Sequence, residues 1–256
     1  MKSFKVISLL AILLPLSGCA GRQDYTLSPP ASTEWVTIEV KLPEQTEVIP
    51  MNVLYRSALC QRKDYDSTTE SHVRQERGFN PRAVNMLQKD GGNIWSVRIA
   101  VAGGGKCNWE LSGIRVGVKI ISGNSLINGK NNIALNYVFD FDDQGHSGGF
   151  GVGPIKNASG DLVLKNDLFP LITYHRSGKV SIELFSGDYE NERWSRHYRV
   201  YNVKKISIEP MLYLSKYVSL MYPKPPGKKF TATYFDGMSE TIEGNYPDYE
   251  RLLSMK

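Results

Sequence analysis

The chain has 256 residues, a formal net charge of +5 at pH 7 and 41% hydrophobic residues. This length is enough for one large β domain or two small ones, and we expect one. The charge bias is weak, and no basic run with interleaved aromatic residues is present, so the electrostatic footprint of a nucleic-acid-binding protein is missing.

The first residues have the pattern of a secretory signal. Lys2 and Lys5 precede an apolar stretch at 6–16, which is too short to cross a bilayer because a span needs about 20 apolar residues. The sequence Leu-Ser-Gly-Cys at 16–19 matches the bacterial lipobox, in which cleavage occurs before the cysteine. We therefore expect residues 1–18 to be removed and Cys19 to be lipidated.

The segment after Cys19 predicts where the protein is held. By resemblance to the enterobacterial sorting rule, an aspartate at position 20 would favour the inner membrane, and Ala20 favours the outer membrane. Residues 19–34 lack hydrophobic periodicity and include Ser-Pro-Pro-Ala-Ser at 28–32, which predicts a flexible tether. We expect a single domain over 35–256 that faces the periplasm, with a net charge of +3 once the two signal-peptide lysines are removed.

Two cysteines remain after lipidation of Cys19. Cys60 and Cys107 form an even pair in a compartment where disulfides persist, so we expect them to be bridged. The alternative is a catalytic or metal-binding thiol. It is disfavoured because the two cysteines lack CxxC spacing and no zinc-type cluster of His and Cys surrounds them.

Short apolar and β-branched segments predict a mainly β fold. Gly, Asn and Asp clusters separate most of them, which favours an antiparallel β-sandwich or partly open barrel. Helical periodicity is limited to 211–222 and 246–253, so we expect one or two short C-terminal helices. Residues 61–93 are polar and predict a long excursion between strands. The predicted strands are 35–42, 51–56, 94–101, 109–121, 133–141, 161–164, 179–185, 197–203 and 205–209.

A Gly-His-Ser-Gly-Gly sequence at 145–149 fits the G-x-S-x-G pattern of serine esterases. Acidic residues and histidines follow it, namely Asp161, Asp167, His175 and His197. The pattern needs a helix after Ser147, but Gly-Phe-Gly-Val-Gly-Pro follows, and such a segment starts a helix poorly. We therefore interpret this stretch as a glycine-rich turn and predict that the protein is not an enzyme.

The same stretch begins like a calcium loop but does not continue as one. Its twelfth position is Gly151 instead of a bidentate glutamate, and the four histidines lack metal-binding spacing, so we expect no metal and no cofactor. The alternative is a looser cation site on the same acidic residues. The loop offers Asp140, Asp142, Asp143 and the aromatic Phe150, and we predict that these four residues bind a protein partner.

Two alternatives to that prediction remain open. The first is a mobile, solvated hairpin without a partner. The second places the contact in the tyrosine-rich C-terminal part, which contains Tyr213, Tyr217, Tyr222, Tyr234, Tyr246 and Tyr249.

Several segments resemble a group of enterobacterial lipoproteins. They are Met-Asn-Val-Leu-Tyr-Arg-Ser-Ala-Leu-Cys at 51–60, Gly-Gly-Gly-Lys-Cys-Asn-Trp-Glu-Leu-Ser-Gly-Ile-Arg-Val-Gly-Val at 103–118, Lys-Asn-Asp-Leu-Phe-Pro at 165–170, Ile-Glu-Pro-Met at 208–211 and Tyr-Phe-Asp-Gly at 234–237. These lipoproteins resemble the periplasmic immunity proteins that accompany phospholipase effectors of type VI secretion systems. The resemblance implies neutralisation of a lipase effector by direct binding. The alternative is a structural or assembly lipoprotein of the outer membrane.

Overall fold

The computed structural model describes residues 23–65, 73–146, 152–187, 195–223 and 229–256. Cys19, Ser147 and Phe150 lie outside the described residues. The first ten strands are β1 (Trp35–Lys41), β2 (Thr46–Val48), β3 (Met51–Tyr65), β4 (Val73–Val84), β5 (Leu87–Gln88), β6 (Ile94–Ala100), β7 (Ala102–Gly104), β8 (Trp109–Ile120), β9 (Asn131–Ile133) and β10 (Leu135–Asp140). The later elements are β11 (Ile155–Ser159), β12 (Leu162–Leu164), β13 (Asp167–Tyr174), β14 (Val180–Phe185), β15 (His197–Tyr201), β16 (Lys205–Ile208), β17 (Met211–Leu212), β18 (Val218–Met221), β19 (Phe230–Tyr234), β20 (Ser239–Ile242) and the helix α1 (Tyr249–Ser254).

The strands form three sheets. The first sheet has the order β12-β16-β1-β6-β5, and the second has the order β11-β15-β10-β8-β3-β4, with β2 and β7 also paired to β8. The third sheet has the order β20-β19-β18-β13-β14-β9, with β17 paired to β13. The mainly β prediction is confirmed, and the arrangement is consistent with a β-sandwich.

The sheets are mixed, not antiparallel as the sequence analysis predicted. Pairs such as β1 with β16, β10 with β15 and β13 with β18 run parallel. Parallel neighbours need long connections between strands that are distant in the sequence. Local alternation and turn residues therefore carry no information about these pairs.

Alternating side chains of β1 belong to the main core. Val36, Ile38 and Val40 are buried, while the residues between them are more exposed, as expected for a strand with one face inward. They share one hydrophobic cluster with buried side chains of the second sheet, including Trp109 and Phe139. Burial of each such aliphatic side chain contributes roughly 2 kcal/mol.

The polar stretch at 61–93 is not an excursion, as the sequence analysis predicted, because most of it belongs to a long hairpin of β3 and β4. The pairing shifts between Ser57, opposite Gly78, and Arg62, opposite Glu76, so that residues 58–61 bulge out of β3. A bulge of this kind interrupts the hydrophobic alternation, which explains why the sequence pattern did not reveal the strand.

The predicted disulfide between Cys60 and Cys107 is confirmed. Cys60 lies in the bulge of β3, and Cys107 lies in the turn between β7 and β8, with the two Cα atoms 5.3 Å apart. A Cβ atom at Gly78 would lie 2.1 Å from the carbonyl oxygen of Cys60. Glycine at position 78 therefore lets the bulge fold closely over β4.

An N-terminal strap, defined as residues 23–28, lies against the end of the second sheet. The indole Nε1 of Trp109 donates to the carbonyl of Asp24 at 3.0 Å, and the rings of Tyr25 and Trp109 stack 6.1 Å apart. The Nδ2 atom of Asn80 donates to the carbonyl of Tyr25 at 3.0 Å. The strap is thus held by both backbone and ring contacts.

Two glycines allow the strap to approach this closely. Cβ atoms at Gly104 and Gly105 would lie 2.3 Å from the carbonyl oxygens of Ser28 and Thr26, respectively, and both glycines have positive φ angles. The amide of Ala102 also donates to the hydroxyl of Thr33 at 2.9 Å. Residues 23–34 are therefore docked to the domain, and the prediction of a flexible tether is wrong for this part of 19–34.

The C-terminal part contains one of the two predicted helices. Helix α1 begins after Asp248, whose carboxylate caps the amide of Arg251 at 3.0 Å. It buries Leu252 in a second hydrophobic cluster with residues of the third sheet. The helix predicted at 211–222 is wrong, because β17 and β18 form there. In the described part of the chain, no helix has the length and apolar character needed to span a membrane.

Candidate interaction site

The candidate site is built on the acidic loop, defined here as residues 140–146, which begins at the last residue of β10. The Oδ2 atom of Asp140 lies 2.6 Å from Nε2 of His197, on the neighbouring parallel strand β15. Its Oδ1 atom accepts the backbone N–H of His146 at 2.8 Å. One carboxylate therefore fixes the loop to the sheet and closes the loop on itself.

Asp140 is buried, with a relative exposure of 2%. A Cβ atom at Gly145 would lie 2.0 Å from Oδ1 of Asp140, so glycine is what allows the loop to wrap around this carboxylate. We predicted that Asp140 contacts a partner from an exposed loop. That prediction is wrong about exposure, because the side chain of Asp140 is buried and supports the loop from inside the domain.

Asp142 also acts mainly within the protein. Its Oδ2 atom accepts from Nη1 of Arg77 at 2.8 Å, and its Oδ1 atom accepts from the hydroxyl of Ser112 at 2.7 Å and from the amide of Gln144 at 2.9 Å. Both charged side chains are partly buried, with relative exposures of 25% for Arg77 and 20% for Asp142. Asp142 thus connects the loop to β4 and β8.

Asp143 is exposed, unlike the other two predicted acidic residues. Phe150 lies outside the described residues, so its predicted contact stays a prediction. Of the four residues predicted to bind a partner, Asp143 is the one whose side chain the structure places on the surface, and Asp142 is half-buried beside it.

Two more residues stabilise the loop from below. Nε of Arg56, a buried residue, donates to the carbonyl of Gln144 at 3.0 Å, and burial lowers the pKa of this guanidinium below its usual value. The ring of His146 packs against Gly113, where a Cβ atom would lie 2.7 Å from it. Burial, followed by the charge of Arg115, lowers the pKa of His146.

A cleft of about 680 Å³ adjoins the acidic loop. Its walls come from β1, β8, β15 and the loop, and its mouth has an exposed aromatic side chain, Tyr201, followed by Asn202 in the left-handed region with φ 52°. Phe141 and Asp142 line the side of the cleft that belongs to the loop. This volume lies in the range of ligand-binding clefts.

The residues considered for serine-hydrolase chemistry lie apart. Asp161 is exposed and accepts the amides of Lys204 and Lys205, and these hydrogen bonds lower its pKa. Asp167 pairs with Lys256 at 2.6 Å, and His175 contacts Ser181. Among the described residues, no cluster of three or more His, Cys, Asp or Glu side chains is suited to hold a metal ion.

Four of the segments singled out in the sequence meet in two places. Residues 51–60 and 103–118 are joined by the β3–β8 pairing and by the disulfide. Residues 165–170 and 208–211 are joined by the amide of Met211, which donates to the carbonyl of Asn166 at 2.8 Å, and they line a second cleft of about 500 Å³.

Comparison with protein-family models, with curated proteins and with solved structures finds no match to this chain.

Sequence reasoning missed the pairs that build the site. Asp140 and His197 meet because β10 and β15 are parallel neighbours, although 57 positions separate the two residues. Arg77 and Asp142 meet because β4, an edge strand of the second sheet, holds Arg77 next to the loop. No local spacing reveals either pair. The one local signal was Gly145, which lets the loop wrap around Asp140 and which the sequence analysis assigned to a turn.

Proposed function

We propose that this protein is a membrane-anchored periplasmic binding protein, an immunity protein that neutralises a type VI secretion lipase effector by direct binding. The observation that carries the proposal is the acidic loop, held by Asp140 and Asp142, beside a cleft of about 680 Å³. Recognition commonly falls to loops that a rigid scaffold positions.

The support beneath the loop matters for affinity. A loop that is already ordered loses less conformational entropy when it binds, so more of the contact energy appears as affinity. The hydrogen bonds of Asp140 and Asp142 provide that order before any partner arrives. Exposed Asp143 would then steer a basic partner surface, and Tyr201 at the cleft mouth would supply apolar contact.

The proposed lipid anchor would raise the effective concentration of the protein at the surface on which its partner acts. A lipid on Cys19 would confine the inhibitor to the same surface on which a phospholipase acts. Gln23 is four positions after Cys19, and that length spans at most about 14 Å when fully extended. Because Nε2 of Gln23 donates to the carbonyl of Cys60, the disulfide end of the domain would face the membrane.

The first experiment expresses the candidate lipase effector in the periplasm, with and without the protein. We expect killing in its absence and survival in its presence. Equal killing in both strains would contradict the proposal and favour the alternative role in outer-membrane assembly.

A second experiment assigns the contact surface with matched variants. Asp143→Lys and Tyr201→Ala should each weaken binding to the effector by roughly tenfold or more, with unchanged thermal stability, because both side chains are exposed. Glu44→Lys is the control for Asp143→Lys. It makes the same charge change at an exposed position outside the loop, and we expect full binding.

A further inference from the structure

We propose that the β13–β14 end of the third sheet is a second interaction surface, which takes an acidic and partly apolar segment of a protein partner. We call it the basic-aromatic pocket and define it by Tyr174, Arg176, Lys179, Met221 and Tyr222. This inference goes beyond the proposed function, and it uses the proposed lipid anchor at one step, the choice of a protein over a membrane as the occupant.

The apolar part of the pocket consists of two exposed side chains. Tyr174 and Met221 are register partners on β13 and β18, with relative exposures of 42% and 56%. Behind them, the ring of Tyr222 packs 4.8 Å from that of Phe230 and 5.2 Å from that of His175. The exposed pair is therefore supported by ordered rings, which suits a contact surface.

The charged part of the pocket is positive. Arg176 and Lys179 are exposed on the turn, and the guanidinium of Arg176 lies 5.9 Å from the centroid of the Tyr222 ring. None of the described residues that line the pocket is acidic. Two cations beside an apolar pair are complementary to a segment that combines carboxylates with an aromatic or aliphatic side chain.

The size of the pocket indicates a side chain rather than a free small molecule. Its volume is about 210 Å³, which is below the roughly 300 Å³ at which ligand clefts begin. A pocket of this size accepts one large side chain of a partner, while the exposed cations around it contact neighbouring carboxylates.

The position of the pocket favours a protein over a membrane. The strap contacts β8 at Trp109, and Nδ2 of Asn132 donates to the carbonyl of Ile120 at the other end of the same strand. Asn131, next to Asn132, is the register partner of Ser181, whose hydroxyl lies 2.7 Å from Nε2 of His175. Since His175 lines the pocket, these contacts lead from this end of β8 to the pocket.

A strand rises about 3.3 Å per residue, so the two ends of β8 are about 36 Å apart. The pocket is thus at the opposite end of the domain from the strap. A chain whose N-terminus leads to a membrane would point this pocket away from the lipid.

The test measures fluorescence anisotropy of a labelled peptide with alternating Glu and Phe, titrated with the mature chain carrying Cys19→Ser. We expect saturable binding that weakens as salt is added. The double variant Arg176→Glu/Lys179→Glu should weaken it by at least about tenfold. The matched control Lys41→Glu/Lys204→Glu makes the same charge change at exposed lysines elsewhere and should alter binding by less than about twofold.

A third variant separates apolar contact from charge. Met221→Ser should weaken binding severalfold without lowering the unfolding midpoint, because the side chain is largely exposed. The proposal is overturned if the peptide does not bind at roughly 1 mM protein, or if the control pair weakens binding as much as the pocket pair. It is also overturned if the pocket pair abolishes binding to anionic phospholipid vesicles and leaves peptide binding intact, since that result identifies a membrane surface.

Discussion

Removal of the disulfide should cost a large part of the stability of the domain. The change is Cys60→Ala/Cys107→Ala, which opens a loop with a sequence separation of 47 residues. In the chain-entropy model, cross-linking a loop of this length stabilises the folded state by about 4 kcal/mol. Domains are typically stable by only about 5–15 kcal/mol, so the variant should be markedly weakened.

Hydrogen bonds beside the disulfide do not involve its sulfur atoms, so the loss of stability should come mainly from the missing cross-link. The hydroxyl of Ser57 accepts the amide of Cys60 at 2.9 Å and donates to the carbonyl of Cys107. These contacts use backbone atoms of both cysteines, so the alanine variant retains them. The difference in unfolding free energy should therefore report the cross-link rather than a collapse of the bulge.

The assay is urea denaturation followed by tryptophan fluorescence, with and without reductant. The free energies of unfolding must be compared, because removing a cross-link also changes how much surface the unfolded chain exposes. Reductant should destabilise the native protein and leave the double variant unchanged. A loss below about 1 kcal/mol would refute the reasoning, since it would mean that the link restricts the unfolded chain very little.

Three further predictions concern the loop and the bulge. Asp140→Ala should lower the unfolding free energy by about 3 kcal/mol in urea denaturation, because it leaves the amide of His146 and the ring of His197 without their acceptor. A change below about 0.5 kcal/mol would contradict the supporting role of Asp140 in the loop. Burial lowers the pKa of His146, so its contribution to stability is complete above pH 6.5 and is lost as the pH falls through the lowered value. His146→Asn should flatten the decline of the unfolding free energy in that pH range, and an unchanged slope would show that another group titrates. Gly78→Ala should lower the thermal midpoint by several degrees, because its Cβ atom would meet the Cys60 carbonyl, whereas Gly92→Ala, with no atom nearer than 3.6 Å, should be nearly neutral.

The sequence was sufficient for the features that depend on local patterns. The alternation of Val36, Ile38 and Val40 predicted β1, and the even cysteine pair predicted the disulfide. The helix at the C-terminus was predicted from its periodicity. These features depend on neighbours in the sequence or on the chemistry of one residue type.

The remainder depends on contacts between distant segments. β16 pairs in parallel with β1, and because no tight turn connects the two strands, the local sequence does not predict this pairing. The contact between Asp140 and His197 is also between distant segments. Without it, Asp140 was predicted to be an exposed binding residue, although it supports the loop from within. The strap was mistaken for a tether because its docking depends on glycines about 75 positions further along the chain, at Gly104 and Gly105.

The most direct test of the proposed function is a titration of effector activity. Phospholipase activity of the purified effector on lipid vesicles is measured while the lipidated protein is added. Direct neutralisation predicts that activity falls in proportion to the added protein and reaches zero near one equivalent, and that Tyr201→Ala shifts the curve to higher concentrations. Full activity in the presence of a large excess of the protein would contradict the account.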